Sequence, residues 1–217
     1  MNSPMMKRLS VLAGAAAVLG LLAVSATAQS YPGNFQLYSK TFTNQSVLPL
    51  STIFNNQVNG VNTCTANGAP GGDASPELSW TGAPYGTQSF VVVLYDVTAS
   101  FTHWGMYNIS GDENRLPANA GVAGSPYGTQ ILNDFELGNQ YDGPCPPANA
   151  APDKHEYVFT VYALSTRLNL PGSANFPANA ETLYHGLIAA GRQGQILASA
   201  NLTGYYSSTP PASASTH

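Results

Sequence analysis

An acid and a histidine, Asp96 and His103, stand a few residues apart in the stretch Ser89–Ile109, and a second histidine and a tyrosine, His155 and Tyr157, stand two residues apart further along the chain. Imidazole N–H and phenol O–H groups donate hydrogen bonds to anionic oxygens, and a carboxylate can fix a histidine tautomer. Asp96, His103 and His155 could also form a two-histidine, one-carboxylate metal site, although nothing in their spacing demands one. Taken alone, either histidine is more often a packed residue near a strand end than a ligand group.

Two apolar runs must position the first acid and histidine. The run Phe90–Tyr95 has no polar break, and β-branched and aromatic runs of this kind are typical of a strand buried on both faces. The return run Met106–Ile109 is close enough in sequence to lie antiparallel beside it. We therefore expect His103 and Trp104 to enter the sheet near the point where Asp96 leaves it.

A second strongly apolar run positions the other pair. Tyr157–Leu164 reads YVFTVYAL and is predicted to be a central strand. Because side chains alternate along a strand, His155 and Tyr157 should point to the same side.

The C-terminal third predicts one helix and one closing strand. Apolar residues at helical spacing predict a helix over 180–190, with Asn179 as its cap and Gly191 at its end; they are Leu183, Leu187 and Ile188. Alternation over 196–202 predicts a strand that ends before Gly204. Earlier in the chain, we expect a strand over 35–42, a long loop over 55–72 and a stiff, proline-rich rim at 143–147 that forms no ladder strand.

The first residues are typical of a secretory signal peptide. Lys7 and Arg8 precede an apolar stretch over 11–24, and Ala26-Thr27-Ala28 provides the small-residue pattern that signal peptidase cleaves. We therefore expect residues 1–28 to be removed and the product to be secreted or periplasmic. No cysteine lies near this cut, which argues against a lipid anchor, and no later stretch is long and apolar enough to span a bilayer.

The remaining composition is acidic and low in charge. Without residues 1–28, five basic residues stand against eleven acidic ones, a net charge near −6. The basic residues are scattered, so no stripe follows a nucleic-acid backbone and no nucleic-acid partner is expected. We predict one domain over 29–206 and a disordered Ser/Pro/Ala-rich tail over 207–217.

Cys64 and Cys145 are the only cysteines of the chain. In an oxidising compartment an even pair is most simply a disulfide, and closing so long a loop could contribute about 4 kcal/mol in the chain-entropy model. The alternative is a pair of buried free thiols, which holds if the protein is not exported.

A series of short motifs resembles the phosphatidylethanolamine-binding protein family, in particular its bacterial branch often called Raf-kinase-inhibitor-like. The resemblance runs from about Phe35 to Tyr206, and motifs in the family's order are hard to obtain by chance. The motifs are SPELSW before the central strand, VVVLYD at its end, HW followed by Asn108-Ile109, NDF, YDGPCPP, and His155-x-Tyr157 ahead of FTVYAL.

The resemblance implies a fold and a ligand. The fold is a mainly β, antiparallel β-sandwich with few helices, including one near the C-terminus, and with a small pocket at one sheet edge. The pocket would bind an anionic or phosphorylated small molecule, such as phosphate or a phospholipid head group, without a cofactor. Carried over motif by motif, the pocket is lined by Asp96, His103, Pro146, Pro147, His155 and Tyr157.

The sequence departs from the family pattern at the pocket lip. The family usually continues its acid as Asp-Pro-Asp-x-Pro, whereas this chain reads Asp96-Val97-Thr98-Ala99-Ser100 and reaches His103 sooner than many relatives do. Thr98 replaces the second acid, which removes a carboxylate and two ring constraints. The ligand could therefore differ from that of the family.

Two other function classes stay open. The family includes serine-protease inhibitors, so the resemblance also allows a secreted inhibitor or another protein-interaction regulator with a serine protease as partner, although no inhibitory loop can be identified. The other class is an enzyme that uses the same pocket. The chain has no G-x-S-x-G elbow, and no cysteine is left to act as a nucleophile if the disulfide forms.

Overall fold

The computed structural model describes residues 34–173 and 175–210. The predicted signal peptide, its cleavage point and residues 211–217 of the predicted tail lie outside this range. Within it the protein is mostly β, with one α-helix near the C-terminal end, as predicted. In this part of the chain no helix has the length and apolar character needed to cross a membrane.

The strands form one large sheet, one small sheet and a hairpin. The large sheet has the order β2-β11-β10-β6-β7-β9, the small sheet has the order β1-β5-β8, and β3 pairs with β4. The elements are β1 (Gln36–Tyr38), β2 (Ser46–Val47), a 3₁₀ helix (Leu50–Thr52), β3 (Gln57–Val58), β4 (Val61–Asn62), β5 (Leu78–Thr81), β6 (Ser89–Asp96), β7 (Phe101–Ser110), β8 (Arg115–Leu116), β9 (Thr129–Gln130), β10 (His155–Leu164), α1 (Ala180–Arg192) and β11 (Ile196–Tyr206).

The two most apolar runs become the centre of the large sheet. β6 is buried along its length except at the half-buried Tyr95, and it pairs antiparallel with both β7 and β10. On one face, Phe90 packs against Trp80 of the small sheet, with ring centroids 5.0 Å apart. On the other face, Val91 and Val93 join a core that includes residues of α1. The predicted strand buried on both faces is confirmed.

The helix begins at the predicted cap and ends beyond the predicted glycine. Asn179 Oδ1 accepts a hydrogen bond from Thr182 N at 3.0 Å, which satisfies a free amide of the first turn. α1 passes through Gly191 and ends at Arg192. Gly194, with φ of +67°, supplies the left-handed conformation that closes the C-terminus, so the glycine that matters lies three residues later than predicted.

The closing strand also runs further than predicted. β11 continues through Gly204 to Tyr206, because this glycine permits a close approach of two segments: a Cβ atom there would lie 2.5 Å from Leu48 Cδ2. Gly204 therefore marks packing and not a strand end. The strand expected over 35–42 is only as long as β1, and the expected loop over 55–72 contains the β3-β4 hairpin.

Candidate functional site

The register between β6 and β10 brings Asp96, His155 and Tyr157 together. Tyr157 lies directly opposite Asp96 in the ladder, and His155 is two residues earlier on the same side of β10. His155 Nδ1 donates to Asp96 Oδ2 at 2.6 Å. The rings of His155 and Tyr157 stack with centroids 6.3 Å apart, so the prediction that these side chains share one side is confirmed.

The lip that departs from the family pattern is tied to Asp96. The second carboxylate oxygen, Oδ1, accepts hydrogen bonds from the amides of Thr98 at 2.9 Å and Ala99 at 3.0 Å. Thr98 Oγ1 in turn accepts a hydrogen bond from the amide of Glu156 at 3.0 Å, which joins the lip to β10. Both oxygens of Asp96 are therefore engaged by protein donors, and the carboxylate orients His155.

His103 reaches the site through a β-bulge in β7. Its neighbours Thr102 and Trp104 pair with consecutive residues of β6, so His103 is the extra residue that nothing on β6 opposes. Strict alternation would send His103 and Trp104 to opposite faces. Instead Trp104 lies in the core that contains Tyr157, and His103 contacts that tyrosine with ring centroids 5.4 Å apart. A bulge can redirect a side chain in this way.

The ring of His103 is held by a main-chain carbonyl. His103 Nδ1 lies 2.9 Å from the carbonyl oxygen of Asp142. Because a carbonyl can only accept, Nδ1 carries the proton. Burial lowers the pKa of His103, and the Asp142 carbonyl and the charge of Asp96 offset this only in part. The ring is therefore neutral near pH 7 and its Nε2 is a hydrogen-bond acceptor.

Tyr157 lies fully buried between the two imidazoles. Its side-chain oxygen is the one completely buried polar side-chain atom in the described residues without a hydrogen-bond partner. Burial raises the pKa of Tyr157, and the negative charge of Asp96 raises it further. The phenol therefore keeps its proton at physiological pH. Tyr157 is 0% exposed, whereas His103 is 3% and His155 is 7% exposed, so the imidazoles are the more accessible groups.

Two more acids support the His103 side of the site, and sequence reasoning did not single them out. The Asp142 carboxylate accepts hydrogen bonds from Asn133 Nδ2 at 2.7 Å and Gln140 Nε2 at 2.9 Å. Asp73 Oδ1 accepts from the amide of Gly143 at 2.7 Å. Burial raises the pKa of Asp73 to about 6, and the charge of Asp142 contributes in the same direction. No periodic pattern marks these residues, because they come from loops.

Two half-buried phenylalanines contact His103, and a third half-buried phenylalanine extends this group of rings. Phe101 and Phe135 lie with ring centroids 4.9 Å and 5.3 Å from that of His103. Phe54 stacks on Phe135 at 4.9 Å. We call these three rings the aromatic wall. Phe101 could have been found in the sequence because it lies two residues before His103, but Phe54 and Phe135 come from distant segments.

The predicted proline rim forms no strand, as expected, and it meets the aromatic wall where the amide of Phe54 donates to the carbonyl of Pro144 at 3.2 Å. Pro146 is buried and Pro147 is exposed, and the residue directly before the rim, Asp142, provides the carbonyl that holds His103. The disulfide between Cys64 and Cys145 is present, with Cα atoms 4.6 Å apart, and it ties the rim to the loop over 55–72. The predicted disulfide is confirmed.

Within the described residues, Asp96 and His155 are the only acid and base side chains within salt-bridge distance of each other, and no group of three or more His, Cys, Asp or Glu side chains is arranged to hold a metal ion. Two cavities, of about 480 and 470 Å³, lie elsewhere on the surface and include none of the six predicted ligand residues. The side chains of the candidate site are themselves buried, because Asp96, His103, His155 and Tyr157 are each at most 7% exposed.

Comparison with known proteins identifies the family. The family profile named phosphatidylethanolamine-binding protein matches residues 38–207. The chain belongs to the phosphatidylethanolamine-binding protein family. Within this family, a UPF0098 protein of Aquifex aeolicus is 34% identical over 182 residues, which cover 80% of this chain and 94% of that protein.

Solved relatives have the same fold. The crystal structure of Escherichia coli YbcL, described as a new member of the mammalian PEBP family, matches with a TM-score of 0.64 and 30% identity, over 80% of this chain and 98% of YbcL. A Mycobacterium tuberculosis protein named as a candidate lipoprotein, LppC, is 30% identical over 122 residues, or 50% of this chain and 56% of that one. The predicted family and fold are thereby confirmed.

Proposed function

We propose that this family member binds the acidic head of a small phosphorylated ligand beside His103 and His155. One observation carries the proposal. The two imidazoles contact the same tyrosine, each Nδ1 is held by a protein acceptor, and neither Nε2 forms a hydrogen bond within the described chain. Rings held in this way lose little conformational freedom when a ligand oxygen binds, which favours affinity.

The aromatic wall favours a ligand with an organic part. Its three rings are half-buried, and two of them, Phe101 and Phe135, contact His103. A phosphoryl group that reaches the imidazole would therefore place its ester substituent against these two rings. Small-molecule sites combine apolar walls with a few polar groups in this manner. The proposed ligand is therefore a phosphomonoester or phospholipid head group in preference to inorganic phosphate.

We also propose that the protein works outside the cytoplasm. Disulfides persist in oxidising compartments and are rare in the cytosol, and this chain has one between Cys64 and Cys145. The relative LppC, named as a candidate lipoprotein, agrees with that location. Mass analysis of protein recovered from its native host should find a chain that begins at Gln29 with no free thiol. A full-length, reduced chain would contradict this location.

Calorimetric titration tests the proposed ligand. Phosphorylethanolamine and inorganic phosphate are titrated into the protein and into the His155→Ala and His185→Ala variants. His185 is exposed on α1 and serves as the control. Next to the Asp96 carboxylate, His155 can take a proton and donate to a phosphoryl oxygen through Nε2, whereas His103 offers only an acceptor. Loss of one hydrogen bond to a charged group costs about 1.5–3 kcal/mol, so His155→Ala should weaken binding by roughly ten- to a hundredfold. The control should bind as the unmodified protein does.

Two results would contradict the proposal. If a correctly folded protein gives no heat of binding at millimolar ligand, a phosphoryl group is not its ligand. Equal loss of affinity in the His155→Ala and His185→Ala variants would place the ligand elsewhere. Either result would direct attention to the protease-inhibitor and enzyme classes that the sequence leaves open.

A further inference from the structure

The two imidazoles share a hydrogen-bonding property that limits what they can bind. In His155, Nδ1 donates to the Asp96 carboxylate, and in His103, Nδ1 donates to the Asp142 carbonyl. In its neutral form each ring therefore has its one N–H engaged and offers only the lone pair of Nε2. A fully deprotonated phosphoryl group also offers only lone pairs. A dianion therefore meets two acceptors, which is unfavourable unless a proton comes with it.

The charges around the rings reinforce this mismatch. Asp96, Asp142 and Asp73 contribute negative charge on the β6 side and on the rim side of the pocket, and Tyr157 on β10 is a neutral phenol. Lys154 precedes His155 in sequence, but its ammonium lies 4.7 Å above the ring of Tyr205. Among the described residues, Asp96 and His155 form the only acid–base side-chain contact within salt-bridge distance, and it involves no lysine or arginine. An incoming anion thus meets no lysine or arginine that is salt-bridged into the site.

We propose, building on the proposed function, that a phosphoryl group binds to this pocket together with one proton, which is shared between a ligand oxygen and Nε2 of His155. The acceptors on the two Nδ1 atoms decide between the rings. A proton on His155 creates a positive charge next to a carboxylate, whereas a proton on His103 creates one next to a neutral carbonyl in a 3%-exposed position. A buried charge without a counter-charge is much the more costly of the two.

The proposal predicts how affinity changes with pH. Above the second pKa of a phosphomonoester, about 6, the free ligand is a dianion and the bound complex contains one proton more than the separate molecules. Affinity should then fall by roughly tenfold for each unit of pH, as linkage requires for one proton taken up. Between pH 6.5 and 8.5 the apparent Kd for phosphorylethanolamine should rise by about a hundredfold.

Calorimetry in two buffers of different ionisation enthalpy measures the proton directly. At pH 8, titration of phosphorylethanolamine should show uptake of close to one proton per ligand bound. Binding with no proton uptake and with constant affinity from pH 6.5 to 8.5 would overturn the inference and leave the proposed function standing. Absence of binding at every pH would contradict both the inference and the proposed function. Sulfate, an oxyanion of the same shape, should bind only with the same uptake, and sulfate binding without it would also overturn the inference.

A matched pair of variants tests the location of the proton. Glutamine places an amide N–H where Nε2 stood and cannot titrate. In His155→Gln, phosphoryl binding should persist with proton uptake close to zero and with little pH dependence. In His103→Gln, uptake should stay close to one. Equal uptake in the two variants would overturn the assignment to His155, and the measurement on the unmodified protein tests the coupled proton even if one variant fails to fold.

Discussion

The two histidines of the site reach it by different routes. His155 lies on β10, a regular strand whose alternation carries it to the same face as Tyr157, and the β6 ladder places Asp96 beside it. His103 lies on a bulge of β7, and loop residues hold it, with the Asp142 carbonyl on its Nδ1. One imidazole is thus positioned by a regular strand and the other by a β-bulge.

This difference is also electrostatic. His155 has a carboxylate partner, whereas His103 has a neutral carbonyl, and burial lowers the pKa of His103. One half of the site can therefore accept positive charge and the other half is held neutral. The comparison shows that two like residues in one pocket can have different tasks because their second ring nitrogens meet different acceptors.

The largest effect should come from removing the disulfide that ties the loops beside His103. Replacing both Cys64 and Cys145 by serine should lower the free energy of unfolding by about 2–5 kcal/mol, because the unfolded chain regains the freedom of a long loop. Urea unfolding measures the loss. Phosphoryl binding by the folded fraction should weaken as the Asp142 carbonyl becomes less well placed. A variant as stable as the unmodified protein would show that the loops hold His103 without this covalent tie.

A smaller loss of stability should follow from removing the Asp96 carboxylate, which holds His155. Asp96→Ala leaves the Nδ1–H of His155 and the amides of Thr98 and Ala99 without their acceptor, so we expect a loss of about 2–4 kcal/mol in chemical denaturation. Asp96→Asn keeps one carbonyl acceptor and should lose clearly less. If both variants lose the same amount, the hydrogen bonds to Asp96 do not stabilise this half of the site.

The Asp73 carboxyl should make the His103 half sensitive to pH. Its pKa is raised to about 6 from an ordinary value of 3.8, so the folded state holds the proton more tightly than the unfolded state does. The resulting destabilisation is absent below pH 3.8, grows as pH rises toward 6 and is complete above it. Asp73→Asn retains an acceptor for the Gly143 amide and removes the charge.

After allowance for solvent screening of this partly exposed group, Asp73→Asn should stabilise the protein by about 1 kcal/mol at pH 7.5. The gain should vanish as pH falls to 4. Thermal unfolding across this range checks it, with the exposed Asp153→Asn as the control. A gain that is independent of pH, or one shared by the control, would show that the Asp73 charge is not its source.

The smallest effect on stability is expected from removing the hydroxyl of Tyr157, which lies between the two histidines. The buried hydroxyl of Tyr157 has no partner, so Tyr157→Phe should change the free energy of unfolding by less than about 1 kcal/mol. Tyr141 is the matched control, because its hydroxyl donates to the Thr52 carbonyl at 2.8 Å, and Tyr141→Phe should cost about 1–1.5 kcal/mol. Equal losses in denaturation would mean that Tyr157 has a partner in solution.

The elements that could be predicted are those with a regular period. Alternation placed His155 and Tyr157 on one face, and the unbroken apolar run from Phe90 to Tyr95 predicted a strand covered on both sides. The helix cap at Asn179 was also predictable, because capping depends on residues within one turn. The motif order predicted the family. Each of these rests on interactions between residues close in sequence or on a repeated pattern.

The ends of elements were less predictable. Glycine often ends an element, yet α1 passes through Gly191 and β11 passes through Gly204. Glycine serves a left-handed turn or a close approach of two segments equally well. Only the position of Leu48 against Gly204 shows which use applies.

The sequence by itself determined the family, the central strands and the residue types of the site, because local periodicity and ordered motifs suffice for these. Tertiary structure alone decided that His103 sits on a bulge, that Asp142 and Asp73 lie beside it, and that Phe54 and Phe135 form the wall in front of it. The reason is physical. A bulge is defined by the partner strand, and contacts between loops distant in sequence depend on the packing of the whole sheet.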